Sequence, residues 1–370
     1  MSLRVTNIVQ IFEEWAPQWI AWEKDNIGLQ VGDTNNTVTR ILVTLDVTKQ
    51  IVNEAIARKA ELIVSHHPLL FRPPSAITAS DPIGTLVLRL AEQKIALFSA
   101  HTNLDYAQGG VNFALAEKLG LKDIRFLTPL KNSLAKIVVF VPVGHVERVL
   151  SAMTQAGAGV IGKYSSCSFG AEGTGSFYGS PASNPFLGKR RKLEFIEETR
   201  LEMIAPRGVL SGVIAAFKAV HPYEEPAYDI YFIENTNPNF GMGALGRLPK
   251  PQQLGDFLKS LKRILSVKAL RYTGRLAHKI QNVAMCGGAG SDLLPDAITA
   301  KADVLITADV RYHTFQKASD TIALIDAGHW ETEHVILKPI AARLRSAARV
   351  MHEPLTVFIT KYKTNPIKIS

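Results

Sequence analysis

Three short stretches of the chain place histidine and carboxylate side chains directly after apolar runs. The first is LIVSHHPLL, in which residues 62–64 lead into the adjacent pair His66 and His67, followed by Pro68. The second and third are AHTNLDYAQGG and DAGHWETEH. Imidazole and carboxylate groups without thiolates are ligands that divalent first-row metals take in proteins. The pattern therefore predicts metal chemistry.

The second stretch supplies His101 and Asp105, and the third supplies His329 and Glu333, each pair being four residues apart. In an open parallel sheet, sites form at the carboxyl ends of strands, so we expect these three strand ends to meet. If residues 330 onward are helical, His329 and Glu333 lie on one face of that helix. A single histidine at a strand end is usually structural, so the combination of three ends carries the prediction.

Five ligands drawn from these six candidates would exceed the set of about three protein ligands that a catalytic zinc ion takes. Two metal ions about 3.5–4 Å apart, bridged by a carboxylate and a water or hydroxide, would use them all. Adjacent side chains of a strand point to opposite faces, so His66 and His67 converge only if the strand has ended. Pro68 enforces that ending, and each histidine can then face a different metal.

The elements that must position these residues alternate between strand and helix in two outer blocks, residues 1–129 and 246–370. Such alternation favours an α/β layer with a mostly parallel sheet. The predicted strands are 41–47, 61–67, 95–101, 282–290, 302–310 and 321–329, and the main predicted helices are 81–94, 109–120, 254–265 and 334–348.

The middle block, residues 130–245, differs in character. Its order of strand, helix, strand, strand, helix, strand is typical of a ferredoxin-like α+β module. The glycine- and serine-rich stretch 162–180 is expected to form short strands and turns. We therefore predict a discontinuous α/β domain, residues 1–129 and 246–370, with the middle block as an inserted domain.

Composition narrows the class of protein. A chain of 370 residues that is 46% hydrophobic can build a large core, and it has no run of about 18 apolar residues that predicts a membrane helix. The N-terminus lacks the pattern of a secretory signal, and two cysteines, Cys167 and Cys286, are too few for a disulfide framework. A cytoplasmic protein is expected. The net charge of +9 permits anionic metabolites, phosphate or nucleic acid as partners.

Other residues near the predicted strand ends are candidates for chemistry. His313, in VRYHTF, and His101 are candidates to move protons, or alternatively to orient the metal ligands. The turn of Gly287, Gly288 and Gly290 could let backbone N–H groups approach an anion. The motif HPYEE at 221–225 has the residue types of a metal site, but a structural role or a contact within a trimer is the expected one.

The motifs together resemble the Nif-three-like family (NGG-one-interacting factor three-like), whose members also carry the name GTP cyclohydrolase 1 type 2 homolog. The resemblance covers both outer blocks. The stretches that carry it are DNIGLQVGD, IVSHHPLLF, SAHTNLD, CGGAG, ITADVRYH and DAGHWETE.

The resemblance implies two divalent metal ions per subunit in an α/β fold. Zinc is the first expectation, with manganese, iron or nickel as alternatives. It also implies a toroidal homohexamer, a dimer of trimers, whose sites face an internal cavity. The middle block resembles the insert of longer members, which is similar to CutA and PII-like trimeric proteins. Carried onto this chain, the metal ligands are His66, His67, Asp105, His329 and Glu333, with His101 beside the site.

Three functions fit these observations. The first is a metal-dependent hydrolase acting on a nucleotide or another small anionic substrate; for GTP, hydrolytic opening at C8 would suit an activated water. The second is a non-enzymatic hexameric metal-binding scaffold, with nucleic acid as a partner for which no motif is visible. The third is a metal chaperone or sensor, in which the inserted domain reports ligand state.

Overall fold

The computed structural model describes residues 3–369 of the chain. It divides into two compact units: Met1–Thr128 with Phe240–Ser370, and Pro129–Asn239. The chain therefore returns from the smaller unit to the larger one between Asn239 and Phe240, before the 245–246 boundary expected from the sequence. It falls inside one long strand, Asn237–Gln253, which offers no loop that the sequence could mark. None of the described helices is long and apolar enough to cross a bilayer.

The first sheet of the larger unit has five strands in the spatial order β1-β4-β3-β2-β15. The four strands from β4 to β15 are parallel, and β1 is an antiparallel edge. Strands β3 and β4 are buried along their whole length, which is why they appear in the sequence as unbroken apolar runs. The strands are β1 Gly28–Val31, β2 Arg40–Thr44, β3 Leu62–Ser65, β4 Ala96–Ser99 and β15 Thr356–Ile359.

The second sheet has six strands in the order β11-β14-β13-β12-β10-β5. Strands β12, β13 and β14 are parallel neighbours in sequence order, as β2, β3 and β4 are in the first sheet. The prediction of a mostly parallel α/β layer is therefore confirmed for the central strands of both sheets. The strands are β5 Lys122–Leu130, β10 Asn237–Gln253, β11 Arg271–Tyr272, β12 Lys279–Met285, β13 Val304–Thr307 and β14 Ala323–Asp326.

The helices of this unit pack apolar faces against the sheets. In α8, Leu254, Leu258, Leu261 and Leu265 are buried at helical spacing. Helix α3 starts where Asp81 accepts a hydrogen bond from the Gly84 N–H at 2.6 Å. The helices are α1 Val5–Trp15, α2 Lys49–Ala57, α3 Pro82–Glu92, α4 Thr102–Tyr106, α5 Val111–Lys118, α8 Leu254–Leu265, α9 Leu294–Thr299, α10 Tyr312–Ala318, α11 His329–Glu333 and α12 Leu337–Val350.

The smaller unit has one antiparallel sheet, in the order β7-β8-β6-β9, and two helices. Its core contains Val139, Leu201 and Phe217, all fully or nearly fully buried. The order of elements along the chain is the predicted ferredoxin-like one. The elements are β6 Leu134–Pro142, α6 Val146–Gln155, β7 Ser168–Tyr178, β8 Leu193–Pro206, α7 Leu210–Val220 and β9 Tyr228–Ile233.

The glycine-rich stretch differs from its prediction. Residues 162–167 form a turn, as expected, but β7 then runs as one continuous strand over Ser168–Tyr178, where several short strands were expected. Eleven residues of β7 pair with β8 in unbroken register, from Ser168 opposite Met203 to Tyr178 opposite Leu193. The glycines suggested breaks, but the ladder with β8 compensates for their conformational freedom.

Candidate metal centre

The histidine pair lies where the backbone leaves β3, which ends at Ser65. The N–H groups of His66 and His67 donate to Thr44 O at 3.2 Å and Leu45 O at 2.9 Å. The Ser65 hydroxyl donates to His67 O at 2.9 Å and closes the turn. The strand therefore ends before the pair, two residues earlier than the predicted range 61–67, and the two imidazole centroids lie 5.1 Å apart.

Glu333 lies at the centre of the cluster. His329 is the first residue of α11 and Glu333 the last, so one helical turn brings their side chains together as expected. Glu333 Oε2 lies 2.9 Å from His67 Nε2 and 3.1 Å from His329 Nε2. The other oxygen, Oε1, lies 3.9 Å from His66 Nε2. The two oxygens of one buried carboxylate thus face different histidines.

His66 and Asp105 face each other without a donor between them. His66 Nε2 and Asp105 Oδ1 are 3.7 Å apart, and both are buried without a hydrogen-bond partner among the described residues. The His66 Nδ1–H donates to Ala100 O at 2.8 Å, so the lone pair lies on Nε2. Burial lowers the pKa of His66 to about 3 and, with Glu333, raises that of Asp105 to about 7. An unpaired buried acceptor costs about 1–3 kcal/mol, so a cation fits between them.

Every histidine of the cluster uses Nδ1 for an orienting hydrogen bond. Such partners fix the tautomer and the orientation of metal-binding imidazoles. Three of these partners are aspartates that the pattern of strand ends does not predict, although Asp25 and Asp309 lie inside the motifs DNIGLQVGD and ITADVRYH. The pairs are His66 with Ala100 O at 2.8 Å, His67 with Asp46 at 2.7 Å, His329 with Asp309 at 2.6 Å, and His101 with Asp25 at 3.0 Å.

The carboxylates set the charge of the histidines. Burial alone would lower the pKa of His67, but hydrogen bonds to Asp46 and Glu333 outweigh it and raise that pKa to about 10. The pKa of His329 is raised to about 9, because Glu333 and Asp309 again outweigh burial. Burial would raise the pKa of Glu333, yet the surrounding imidazoles hold it well below its usual range. Without a metal, the rings of His67 and His329 are therefore protonated at neutral pH and supply the positive charge that a metal ion would supply.

Among the described residues, two groups of three side chains have ligand atoms close enough to hold an ion. One consists of His66, His67 and His101, the other of His67, His329 and Glu333, and within each group the atoms lie within 4.8 Å of one another. The ligand atom of His101 thus lies within 4.8 Å of those of His66 and His67. This is nearer than the position beside the site that was expected for His101. The ring of Phe71, 41% exposed, lies 6.2 Å from the His101 ring.

His313, the other candidate for proton movement, is not brought into the cluster. It lies on α10 with an exposed side chain, and its Nδ1 hydrogen bonds with Gln316 Oε1 at 3.1 Å. Neither group of converging ligand atoms found among the described residues includes it. Of the two candidates for proton movement, the geometry therefore favours His101, and the predicted role of His313 is left to a comparison of variants of both residues.

The expectation that the glycine turn binds an anion is wrong for this structure, because its N–H groups already have acceptors. The turn instead lets the backbone pass close to the cluster. A Cβ on Gly288, whose φ is +60°, would lie 2.1 Å from Glu333 Oε1. The donated bonds run from Gly287 to Asn112 Oδ1 at 2.8 Å, from Gly288 to Thr332 Oγ1 at 2.9 Å and from Gly290 to Thr307 Oγ1 at 2.8 Å.

Comparison with known proteins places this chain among relatives of nearly equal length. The GTP cyclohydrolase 1 type 2 homolog of Halalkalibacterium halodurans is 39% identical over 361 residues, which are 97% of each chain. That of Bacillus subtilis is 37% identical over 367 residues, covering 99% of this chain and 98% of the relative. A solved structure, the Bacillus cereus protein related to NIF3, superposes with a TM-score of 0.85 at 37% identity over 100% of both chains.

The motifs that suggested a resemblance span most of the region matched by a family model. That model, described as Duf34/NIF3 (NGG1p interacting factor 3), matches residues 3–366. The resemblance drawn from the sequence is therefore confirmed over nearly the whole chain, and the protein belongs to the Duf34/NIF3 family.

Proposed function

We propose that this protein binds two divalent metal ions around Glu333 and uses them to hydrolyse a nucleotide or another small anionic substrate. The proposal rests on the arrangement of the two Glu333 carboxylate oxygens, which face different histidines. Its Oε2 meets His67 and His329 at 2.9 and 3.1 Å, while Oε1 turns toward His66. A carboxylate shared between two ligand sets is how paired metal ions are commonly bridged.

The donor atoms support this fit. His66 Nε2 and Asp105 Oδ1 are buried acceptors without a partner among the described residues, as the two sides of an ion site would be. Oxygen and imidazole nitrogen without thiolate suit zinc, which we propose first, and also manganese, iron or nickel as alternatives. The proposed ligand set is that of the sequence analysis: His66, His67, Asp105, His329 and Glu333.

Bound there, divalent ions would supply a water that is nucleophilic near neutral pH. The chain's own residues orient the site and handle protons. Asp46 and Asp309 hold the rings of His67 and His329 through Nδ1 at 2.7 and 2.6 Å. His101 is held in the same way by Asp25, and its Nε2 has no hydrogen bond to any described residue. His101 is therefore the group best placed to hold or move a proton at Nε2.

The substrate class rests on the names of relatives and on net charge. Relatives carry a GTP cyclohydrolase name, and the net charge of +9 favours an anionic substrate. On the resemblance alone we also propose a homohexamer built as a dimer of trimers, a cytoplasmic location and a PII- or CutA-like role for the inserted unit. The non-enzymatic scaffold is the alternative if metal-loaded protein turns nothing over.

Replacing His101 with asparagine tests the catalytic part of the proposal. We expect metal content to stay unchanged and kcat, with GTP or p-nitrophenyl phosphate as substrate, to fall about 100-fold, the usual contribution of a positioned acid or base. The matched control is His313→Asn, whose side chain is exposed, and we expect its kcat to match wild type.

The two variants separate the possible roles. Loss of metal from His101→Asn would make His101 a ligand, and an effect confined to His313→Asn would reverse the assignment. If metal-loaded wild-type protein hydrolysed neither substrate, the scaffold function would replace the hydrolase for these substrate classes.

Metal affinity should rise with pH. In the metal-free site the pKa values of His67 and His329 are raised to about 10 and 9, so both rings are protonated at pH 7. A metal ion needs the neutral ring, so binding releases these protons, and each proton released strengthens apparent affinity about tenfold per pH unit. Competition with a zinc chelator at pH 6, 7 and 8 measures this slope. An affinity independent of pH would contradict ligation by His67 and His329.

A further inference from the structure

The inserted unit contains a cavity of about 590 Å³ beside the motif HPYEE. The histidine of that motif, His221, uses both ring nitrogens inside the unit. Its Nε2–H donates to Phe140 O at 3.0 Å, and its Nδ1 accepts from the Tyr223 N–H at 3.1 Å. His221 therefore has no lone pair left for a metal, and it fixes the backbone that turns Tyr223 into the cavity.

The walls of the cavity are aromatic and acidic. No lysine, arginine or histidine is among its described lining residues, although the chain as a whole carries a net charge of +9. The cavity is therefore a locally negative site in a basic protein. The aromatic lining residues are Phe140, Phe177, Tyr178, Phe186 and Tyr223, and the acidic lining residues are Glu198, Glu224 and Glu225.

The acidic end of the cavity is built around Glu198. Its carboxylate lies over Gly175, where a Cβ would be 2.2 Å from Oε2. Ion pairs found in the described inserted unit use Glu194 and Glu202, and Glu198 takes part in none of them. The Tyr223 hydroxyl is also buried, and burial together with the nearby Glu198 raises its pKa. Glu198 thus presents to the cavity a carboxylate that takes part in no ion pair of the described residues.

The opposite wall is held in place by the loop that follows β7. The Asn184 N–H donates to Glu224 Oε1 at 2.7 Å, which joins this loop to HPYEE. Phe186 on the loop lies 6.5 Å from the Tyr223 ring and 5.4 Å from the His145 ring. Half of its side chain remains exposed, so an aromatic face is available to a ligand.

We propose that this cavity binds a small organic cation, an amine or quaternary ammonium group on an apolar body. Aromatic faces attract cations through the ring quadrupole, and Glu198 supplies the opposite charge. The volume lies within the range of about 300–1,000 Å³ that small-molecule sites occupy. The proposal is independent of the metal centre, and a segment of a second copy of the chain is the competing occupant.

Choline and its uncharged analogue 3,3-dimethylbutan-1-ol test the proposal on the full-length protein. The two molecules share shape and hydroxyl group and differ in charge. We expect choline to bind at least about tenfold more tightly by calorimetry or ligand-observed NMR, as a cation–π contact and a carboxylate together predict. Glu198→Gln should weaken choline binding about tenfold, and Phe186→Leu should weaken it with metal content unchanged.

The control variant is Glu197→Gln, on the neighbouring residue of β8, which makes the same change in net charge outside the cavity lining. We expect it to bind choline like wild type. Equal binding of choline and the alcohol, equal effects of the two glutamine variants, or no choline binding at millimolar concentration would each overturn the proposal. The last result is also the one expected if a second copy of the chain fills the cavity.

Discussion

Replacing Glu333 with glutamine should remove both metal ions from a protein that we expect to hold about two per subunit. Glutamine keeps the shape of the side chain but loses the charge that both ligand sets share. It also cannot accept through both oxygen positions, because one becomes an NH₂ group. Loss of a ligand should weaken affinity by more than the 10–100-fold, roughly, that an orienting partner of a ligand contributes. Elemental analysis of protein purified without chelator measures the change.

A stability measurement gives a second readout of the same variant. A ligand at about 1,000 times its Kd stabilises the folded state by about 4 kcal/mol, so a chelator should lower the Tm of the wild type. It should leave the Tm of Glu333→Gln almost unchanged. Glu117→Gln, an exposed change on α5, should behave as wild type in both assays.

Variant His67→Ala distinguishes a ligand of both proposed ions, such as Glu333, from a ligand of only one. We expect this variant to lose the ion that His67 and His329 would hold. Its affinity for the other ion should fall less than that of Glu333→Gln. Two equivalents of metal in both variants would mean that the cluster is not the metal site. The imidazoles and carboxylates around Glu333 would then be a buried structural network.

The residues of this cluster could be predicted from the sequence because each follows a strand. Strands β3 and β4 are parallel neighbours in the first sheet, so the meeting of the stretches that follow them could be predicted. His329 and Glu333 follow β14, a strand of the second sheet, so the rule for one sheet does not by itself bring them to the same site. The four-residue spacing of His329 and Glu333 needed one further step, a helical turn, which α11 supplies. Periodicity and strand order were therefore sufficient for each of these two groups of residues, but not for their meeting in one cluster.

The aspartates that orient the imidazoles could not be predicted in the same way. Asp46 and His67 are 21 residues apart, and Asp25 and His101 are 76 apart. No local period links such pairs, since only the packed sheet decides which carboxylate reaches which ring. The glycine turn was misjudged for a related reason. A glycine can mark an anion site or a close approach of the backbone, and only the position of Glu333 against Gly288 decides between them.

The sequence predicts strands in the inserted unit that are shorter than the observed β7, because the glycines of this stretch suggest breaks in a strand. Strand β7 continues through Gly170, Gly173 and Gly175, paired with β8 throughout. Its length matters, because Gly175 lies under Glu198 and leaves the space that the cavity occupies. A side chain at that position would meet the Glu198 carboxylate. The residue type that obscured the strand is thus the one that makes room for the proposed cation site.

Replacing Asp105 with asparagine should stabilise the metal-free protein while weakening its hold on metal. In the metal-free site, Asp105 Oδ1 and His66 Nε2 are acceptors 3.7 Å apart with nothing to donate between them. The asparagine NH₂ group can donate to His66 Nε2, which is neutral because burial lowers the pKa of that ring to about 3. Satisfying a buried acceptor and removing a buried charge are worth about 1–3 kcal/mol.

The pH dependence of this gain has a definite sign. Burial and Glu333 raise the pKa of Asp105 from 3.8 to about 7. A carboxyl group with a raised folded-state pKa loses stability relative to the unfolded chain as pH rises from about 4 to 7. The advantage of Asp105→Asn over wild type, with chelator present, should therefore be small at pH 4 and full above pH 7. Thermal unfolding at several pH values measures it, with the exposed Asp320→Asn as control.

The same substitution separates a site built for metal from a structural cluster. If Asp105 exists to stabilise the fold, asparagine should lower the Tm with and without chelator. If it exists to hold an ion, asparagine should raise the Tm with chelator and lower it in excess zinc, because the bound ion stabilises only the wild type. A crossing of the two Tm series would mean that the chain keeps an unfavourable pair of buried acceptors for the sake of the metal. If asparagine changes the Tm in the same direction with chelator and in excess zinc, then Asp105 Oδ1 and His66 Nε2 do not hold a metal ion.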